Sequence, residues 1–231
     1  MAFKKFKARL RRKRLAKNSI SVRGNKESHT LENEWDGWPI PSEGLTEDSL
    51  VYSFGIGNDI AWDLEMMERF NLQLHGFDPT PESIAWIKTQ DLPKNFQFHD
   101  VGLSSEDGHL SVYPPKKPGR FNFTQEKLNY VTEDGHKPIK IPVKRLRSIM
   151  NELGHEMIDV LKIDIEGSEF EAIPDIFESK CRFDYLLVEI HYHFPQRSFE
   201  AGVDLIKRIE KEGFACFYIS ERGYEFGFKK I

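Results

Sequence analysis

A chain of 231 residues with 39% hydrophobic and 13% aromatic side chains can bury the core of one ordinary domain, which excludes disorder throughout. Its two cysteines, Cys181 and Cys216, have no Cys-x-x-Cys spacing, which argues against a disulfide framework or a zinc cluster and is compatible with a reducing compartment. The formal charge of −4 hides a sharp division: residues 1–24 hold ten Lys or Arg and no acid, which leaves a net −14 on the rest.

The first 24 residues, "MAFKKFKARLRRKRLAKNSISVRG", read as a basic arm outside the body of the protein. Its plainest reading is a flexible solubilising tail. Contact with an anionic membrane surface, helped by Phe3, Phe6, Leu10 and Leu15, or with an acidic partner is the functional alternative. The basic start runs into polar residues instead of an apolar stretch, so it is no export signal, and no run of about 18 apolar residues occurs anywhere. The expected location is cytoplasmic, with peripheral membrane contact as a variant. Residues 25–48 follow as an irregular lead-in rich in turn formers, with Trp35 and Trp38 available to pack or to line a pocket.

Regular elements begin at Leu50. "LVYSFGIG" reads as a strand ending in glycines, "NDIAWDLEMMERFN" as a helix, "LQLHGFD" as a strand, "TPESIAWIKTQ" as a helix and "FQFHDVGL" as a third strand. Residues 104–143 interrupt this rhythm with turn formers and only short β-like pieces, as an insertion or lid does. The alternation then resumes: helix "VKRLRSIMNELG" closed by Gly154, strand "MIDVLKIDI", helix "SEFEAIPDIFES" with Ser168 and Glu171 as a capping box, and strand "FDYLLVEIHYHF". A last helix and the pair "FACFYIS" and "YEFGFKK" around "ERG" end the chain as a hairpin. Strands alternating with helices predict a mainly parallel α/β sheet whose last strand is antiparallel.

The chemistry gathers at strand ends. Gly55 and Gly57 in "SFGIGND" let backbone approach a ligand, and the helix start beyond them turns N–H groups toward it. Asp78 ends the next strand about 20 residues on, where an acid accepts from both hydroxyls of a ribose. Together they point to a nucleoside-containing cofactor. The dinucleotide fingerprint is incomplete, because Ile60 stands where a third glycine belongs, and no P-loop is present. The terminal hairpin favours S-adenosylmethionine over a nicotinamide dinucleotide.

"VYSFGIGNDIAWDLEM", "LHGFDPTPESIAWI", "FHDVGLSSEDG", "LKIDIEGSEFEAI" and "LLVEIHYHFP", in this order, resemble the FkbM-type S-adenosylmethionine-dependent methyltransferases over about residues 51–228. The resemblance implies a class I methyltransferase, Rossmann-like sandwich with a seven-stranded sheet. It also implies methyl transfer to a hydroxyl of a sugar, glycan or natural-product-like acceptor. Carried over by position, it sets Gly55 and Gly57 against the methionine and ribose portions, Asp78 on the ribose hydroxyls, Asp100 with Val101 at the adenine, and Asp164 beside the methionyl end. "NDIAWD" departs from the family's glycine turn and leaves the contacts of Asn58 and Asp59 open, although Asp59 falls within the cofactor-binding set.

Methyl transfer from a sulfonium is an in-line displacement that needs a base for the hydroxyl proton, and Glu166, Glu189 and His191 are the candidates. Asp164, Glu166 and His191 also have the chemistry to hold Mg²⁺, a secondary reading beside that of a site without metal. Lys116, Arg120 and Tyr130 of the middle segment could reach an acceptor. Nucleic acid is not an expected partner, because the body is acidic and the base-modifying Asn/Asp-Pro-Pro-Tyr/Phe signature is absent. A nicotinamide-dependent oxidoreductase and a non-catalytic binding module remain the alternatives.

Overall fold

The computed structural model describes residues 2–23, 29–30, 38–41, 44–115, 121–125 and 137–231. Trp35, Lys116, Arg120 and Tyr130 lie outside these residues. The first half runs α1 (Ala2–Lys17), β1 (His29–Thr30), β2 (Pro39–Ile40), β3 (Leu50–Phe54), α2 (Ala61–Phe70), β4 (Gln73–Phe77), α3 (Pro81–Ile87) and β5 (Phe96–His99). Three strands follow, β6 (Gly102–Leu103), β7 (Gly108–Val112) and β8 (Ile139–Lys144). The second half runs α4 (Leu146–Leu153), β9 (Ile158–Ile163), α5 (Glu169–Glu178), β10 (Phe183–Glu189), α6 (Phe199–Lys211), β11 (Phe214–Ile219) and β12 (Glu225–Lys230).

Seven of these strands form one sheet in the order β11-β12-β10-β9-β3-β4-β5. Only β12 runs against its neighbours; the other pairs are parallel, as the alternation of elements predicts. Helices cover both faces, which is why the central strands are almost wholly buried rather than alternating. Successive side chains along β3 go to opposite faces: Tyr52 and Phe54 pack with α4, α5 and α6, and Val51 packs with Trp62, Met66 and Met67 of α2. No helix among the described residues is long and apolar enough to cross a membrane.

Three stretches differ from their sequence reading. The basic segment is the helix α1, docked on the body rather than loose. Leu15 and Ile20 are buried in the main core, the guanidinium of Arg11 lies 3.8 Å over Tyr224, and that of Arg14 lies 4.0 Å over Phe199 and pairs with Glu200 at 3.0 Å. The expected single strand over 96–103 breaks after His99, and Gly102–Leu103 joins a second sheet, β6-β8-β7, built from the middle segment. That sheet has a small core of Val112, Phe123, Ile141 and Val143. The capping box does not form: Ser168 makes no side-chain cap bond, and the Glu169 carboxylate takes the Gly167 N–H at 2.9 Å instead.

Candidate active site

β3 and β9 lie side by side, and the chain leaves β3 through Gly55 at φ +79°. A side chain here would put its Cβ 1.6 Å from the carbonyl oxygen of Asp164, so both the conformation and the space demand glycine. Asp164 N–H donates to Phe54 O at 3.0 Å, which locks the two strand ends together. Gly57 N–H donates to Asp78 Oδ2 at 2.9 Å, tying the turn to the end of β4. Asp78 Oδ1 takes the Thr80 N–H at 2.9 Å and the Thr80 hydroxyl at 2.6 Å. Burial raises the Asp78 pKa, against the pull of these bonds. Its Oδ2 keeps a lone pair for a ligand hydroxyl.

A cavity of about 400 Å³ opens beside this turn. Gly55, Gly57, Asp59, Asp78, Thr80, Asp164 and Glu166 line it, and Leu110, Val112, Phe121 and Phe123 of the middle segment close it. Asp59 also starts α2, its carboxylate taking the Ala61 N–H at 2.9 Å. Asp100 and Val101 do not line the cavity: Asp100 is exposed and Val101 packs on the main core, because the chain changes sheets there. Gly102 and Leu103 reach it instead.

Two charged residues that the sequence reading passed over complete the α2 side. Lys162 of β9 and Asp63 of α2 are both buried and both line the cavity. The Lys162 ammonium stands 4.8 Å from the Trp38 ring and 5.7 Å from that of Trp62. Neither carboxylate oxygen of Asp63 makes a full hydrogen bond, and burial raises its pKa in spite of Lys162 and the nearby Ser53 hydroxyl. A lysine inside the apolar run "VLKIDI" was the available signal. An unpaired carboxylate beside an ammonium in one cavity suits a ligand with an amino-acid head, and Asp78 with the glycine turn suits its nucleoside, so these residues fit S-adenosylmethionine.

Beyond Asp164 lies a group of acids around one imidazole. His191 Nδ1 faces Glu169 Oε1 at 3.2 Å, and its Nε2 faces Glu166 Oε2 at 3.5 Å, Glu189 Oε1 at 3.7 Å and Asp164 Oδ1 at 3.9 Å. Burial alone would lower the His191 pKa, but the carboxylates of Glu169, Glu189 and Glu166 outweigh it and hold it well above 6.5. The direction of this shift favours the protonated ring, opposite to what the general-base role expected from the sequence requires. Burial, with Glu189 next, pushes Asp164 up to about 7, and burial also raises Glu166 and Glu189. Glu169 is held below its ordinary value: burial opposes this, but His191 prevails.

Glu166 sits at φ +50°, a left-handed conformation costly for a residue with a side chain. The middle segment holds it there. Asn122 Nδ2 donates to its carboxylate and the Thr124 hydroxyl donates to its carbonyl, the latter at 2.7 Å. Glu189 and His191 stand behind the cavity wall rather than in it, and Glu189 also pairs with Arg222 at 3.3 Å. The three donors Asp164, Glu166 and His191 lie within 4.8 Å of one another, close enough to share a metal ion.

An open seven-stranded sheet with one reversed strand, a glycine turn, an acid ending the next strand and a cavity across the strand ends define a Rossmann-like protein of the methyltransferase class. The chain belongs to the FkbM methyltransferase family, whose model, the methyltransferase FkbM domain, matches residues 9–226. That match begins inside α1, well before the resemblance visible in the motifs. The chain is 27% identical to the human probable methyltransferase-like protein 24 over 180 residues, 73% of this chain and 42% of that one. It is 25% identical to the rat protein of the same name over 195 residues, 79% and 46% of the two chains. The 2-O-methyltransferase NoeI of Sinorhizobium fredii is 27% identical over 128 residues, 49% of this chain and 52% of that one. The chain thus spans about half the length, or less, of these relatives.

Proposed function

We propose that this domain methylates a hydroxyl of a sugar, glycan or related small molecule, with S-adenosylmethionine as donor. The observation that carries the reading is the single cavity that joins the Gly55–Gly57 turn and Asp78 to Asp164 and Glu166. Membership of the FkbM family and similarity to a protein named as a 2-O-methyltransferase support it.

S-adenosylmethionine, when bound, supplies a methyl group activated by a sulfonium. The chain's own part is placement: Asp78 would hold the ribose hydroxyls, while Asp63 and Lys162 would receive the ammonium and carboxylate of the amino-acid head. Asp164 closes that end. Glu166, on the cavity wall with a raised pKa, accepts the proton of the acceptor hydroxyl. The imidazolium of His191 orients Glu166 and Glu189 from behind.

Calorimetric titration with S-adenosylmethionine, S-adenosylhomocysteine and NAD tests the donor. Saturable binding of the first two, with none of NAD, is expected. Binding of NAD alone would transfer the domain to the oxidoreductases, and no binding at all would favour a non-catalytic module.

A further inference from the structure

The back of the His191 ring is fixed. Glu169, fully buried, takes the backbone N–H of His191 at 2.6 Å and that of Gly167 at 2.9 Å, and its oxygen stands 3.2 Å from Nδ1. This assigns a proton to Nδ1 and turns Nε2 forward, the arrangement by which a carboxylate orients a ligating histidine. The ring is 4% exposed, so Nε2 has little water to turn to.

In front of Nε2 stand three carboxylate oxygens, at 3.5, 3.7 and 3.9 Å, and the nitrogen makes a hydrogen bond to none of them. A charge-assisted hydrogen bond would close to about 2.7–2.9 Å. The two shorter separations fall within the about 3.0–3.8 Å expected of two donors about 2.1–2.2 Å from one shared cation, seen at angles between a right angle and a trigonal one, and the one to Asp164 lies just beyond it. An Nε2 lone pair turned on three anionic oxygens would be repelled, so the point between them calls for positive charge. Without an ion, a proton on Nε2 satisfies one direction only; a divalent cation would displace that proton and satisfy all the donors together.

We propose that Asp164, Glu166 and His191 bind one divalent first-row cation of the Mn²⁺ or Zn²⁺ kind, with Glu189 beside it. The mixed nitrogen and carboxylate donor set suits these ions better than Ca²⁺ or Mg²⁺, which prefer all-oxygen surroundings. Asp164 and Glu166 line the cavity, so the outer positions of the ion would face it. On the methyl-transfer reading, on which this role alone rests, the ion would bind the acceptor's hydroxyl oxygen and lower its pKa. Glu166 would then hold the ion through Oε2, the oxygen that faces His191, and take the hydroxyl proton on Oε1.

The test is calorimetric titration of the chelator-stripped full chain with Mn²⁺, with no donor or acceptor present, so that failure of the methyl-transfer reading leaves its result unchanged. One Mn²⁺ per chain is expected, with affinity reduced at least about tenfold in Glu166→Gln and Asp164→Asn. Glu152→Gln, on the exposed face of α4, is expected to bind like the unaltered protein. Glu166→Gln decides alone where Asp164→Asn does not fold, since Glu166 stands on the cavity wall. No saturable binding, or equal binding by all the variants, would overturn the proposal.

Discussion

Two regions of one cavity are built by opposite means. Around Gly55, Gly57 and Asp78, backbone and side chain satisfy one another through hydrogen bonds, and one carboxylate serves both the turn and the start of α3. Around His191, four carboxylates converge with contacts of 3.2–3.9 Å and raised pKa values at Asp164, Glu166 and Glu189. The first region is settled before any ligand arrives, and the second is electrostatically incomplete. Binding geometry belongs to the first and chemistry to the second.

The largest way to break this division is Gly55→Ala, because the new Cβ would meet Asp164 O. A loss of more than about 3 kcal/mol of unfolding free energy is expected, read by denaturant titration, with damage to both regions at once. Next in size, Glu166→Gln is expected to lower turnover by about 10²–10⁴ with the donor affinity kept, read by steady-state kinetics. Asp78→Ala should weaken donor binding by about 10- to 100-fold through loss of one or two hydrogen bonds to a charged group, read by titration. The smallest effect sharpens the comparison from outside both regions. His75, buried against His99 and His155, is held down to about 4, chiefly by burial and then by those two rings. Its folded pKa lies below its unfolded one, so its stabilisation is complete above about pH 6.5 and is lost as pH falls toward 4. The effect is on the order of 2 kcal/mol, and His75→Asn is expected to flatten the stability profile in that window, read by unfolding midpoints at successive pH values.

What the sequence revealed followed its local rules. The glycine turn, Asp78, Asp164 and Glu166 are each fixed by their place at a strand end, and strand ends were readable from apolar runs and turn residues. Contacts made by distant segments were not readable. Lys162 and Asp63 meet only when α2 packs on β9, and the neutralising role of Glu169 depends on β10 delivering His191 to the start of α5. Docking of α1 rests on Leu15, Ile20 and two arginines over aromatic rings, which leave no apolar stripe along the helix. Asp100 and Val101 were carried over by position from the family resemblance, but the chain switches into the second sheet there and Gly102 and Leu103 line the cavity.

The most direct measurement is the affinity for S-adenosylhomocysteine of three proteins side by side: unaltered, Asp78→Ala and Glu166→Gln. Weakened binding in Asp78→Ala, with Glu166→Gln equal to the unaltered protein, is the predicted result. Equal affinity in all three, or loss confined to Glu166→Gln, would contradict the division of the cavity into a binding region and a reacting one.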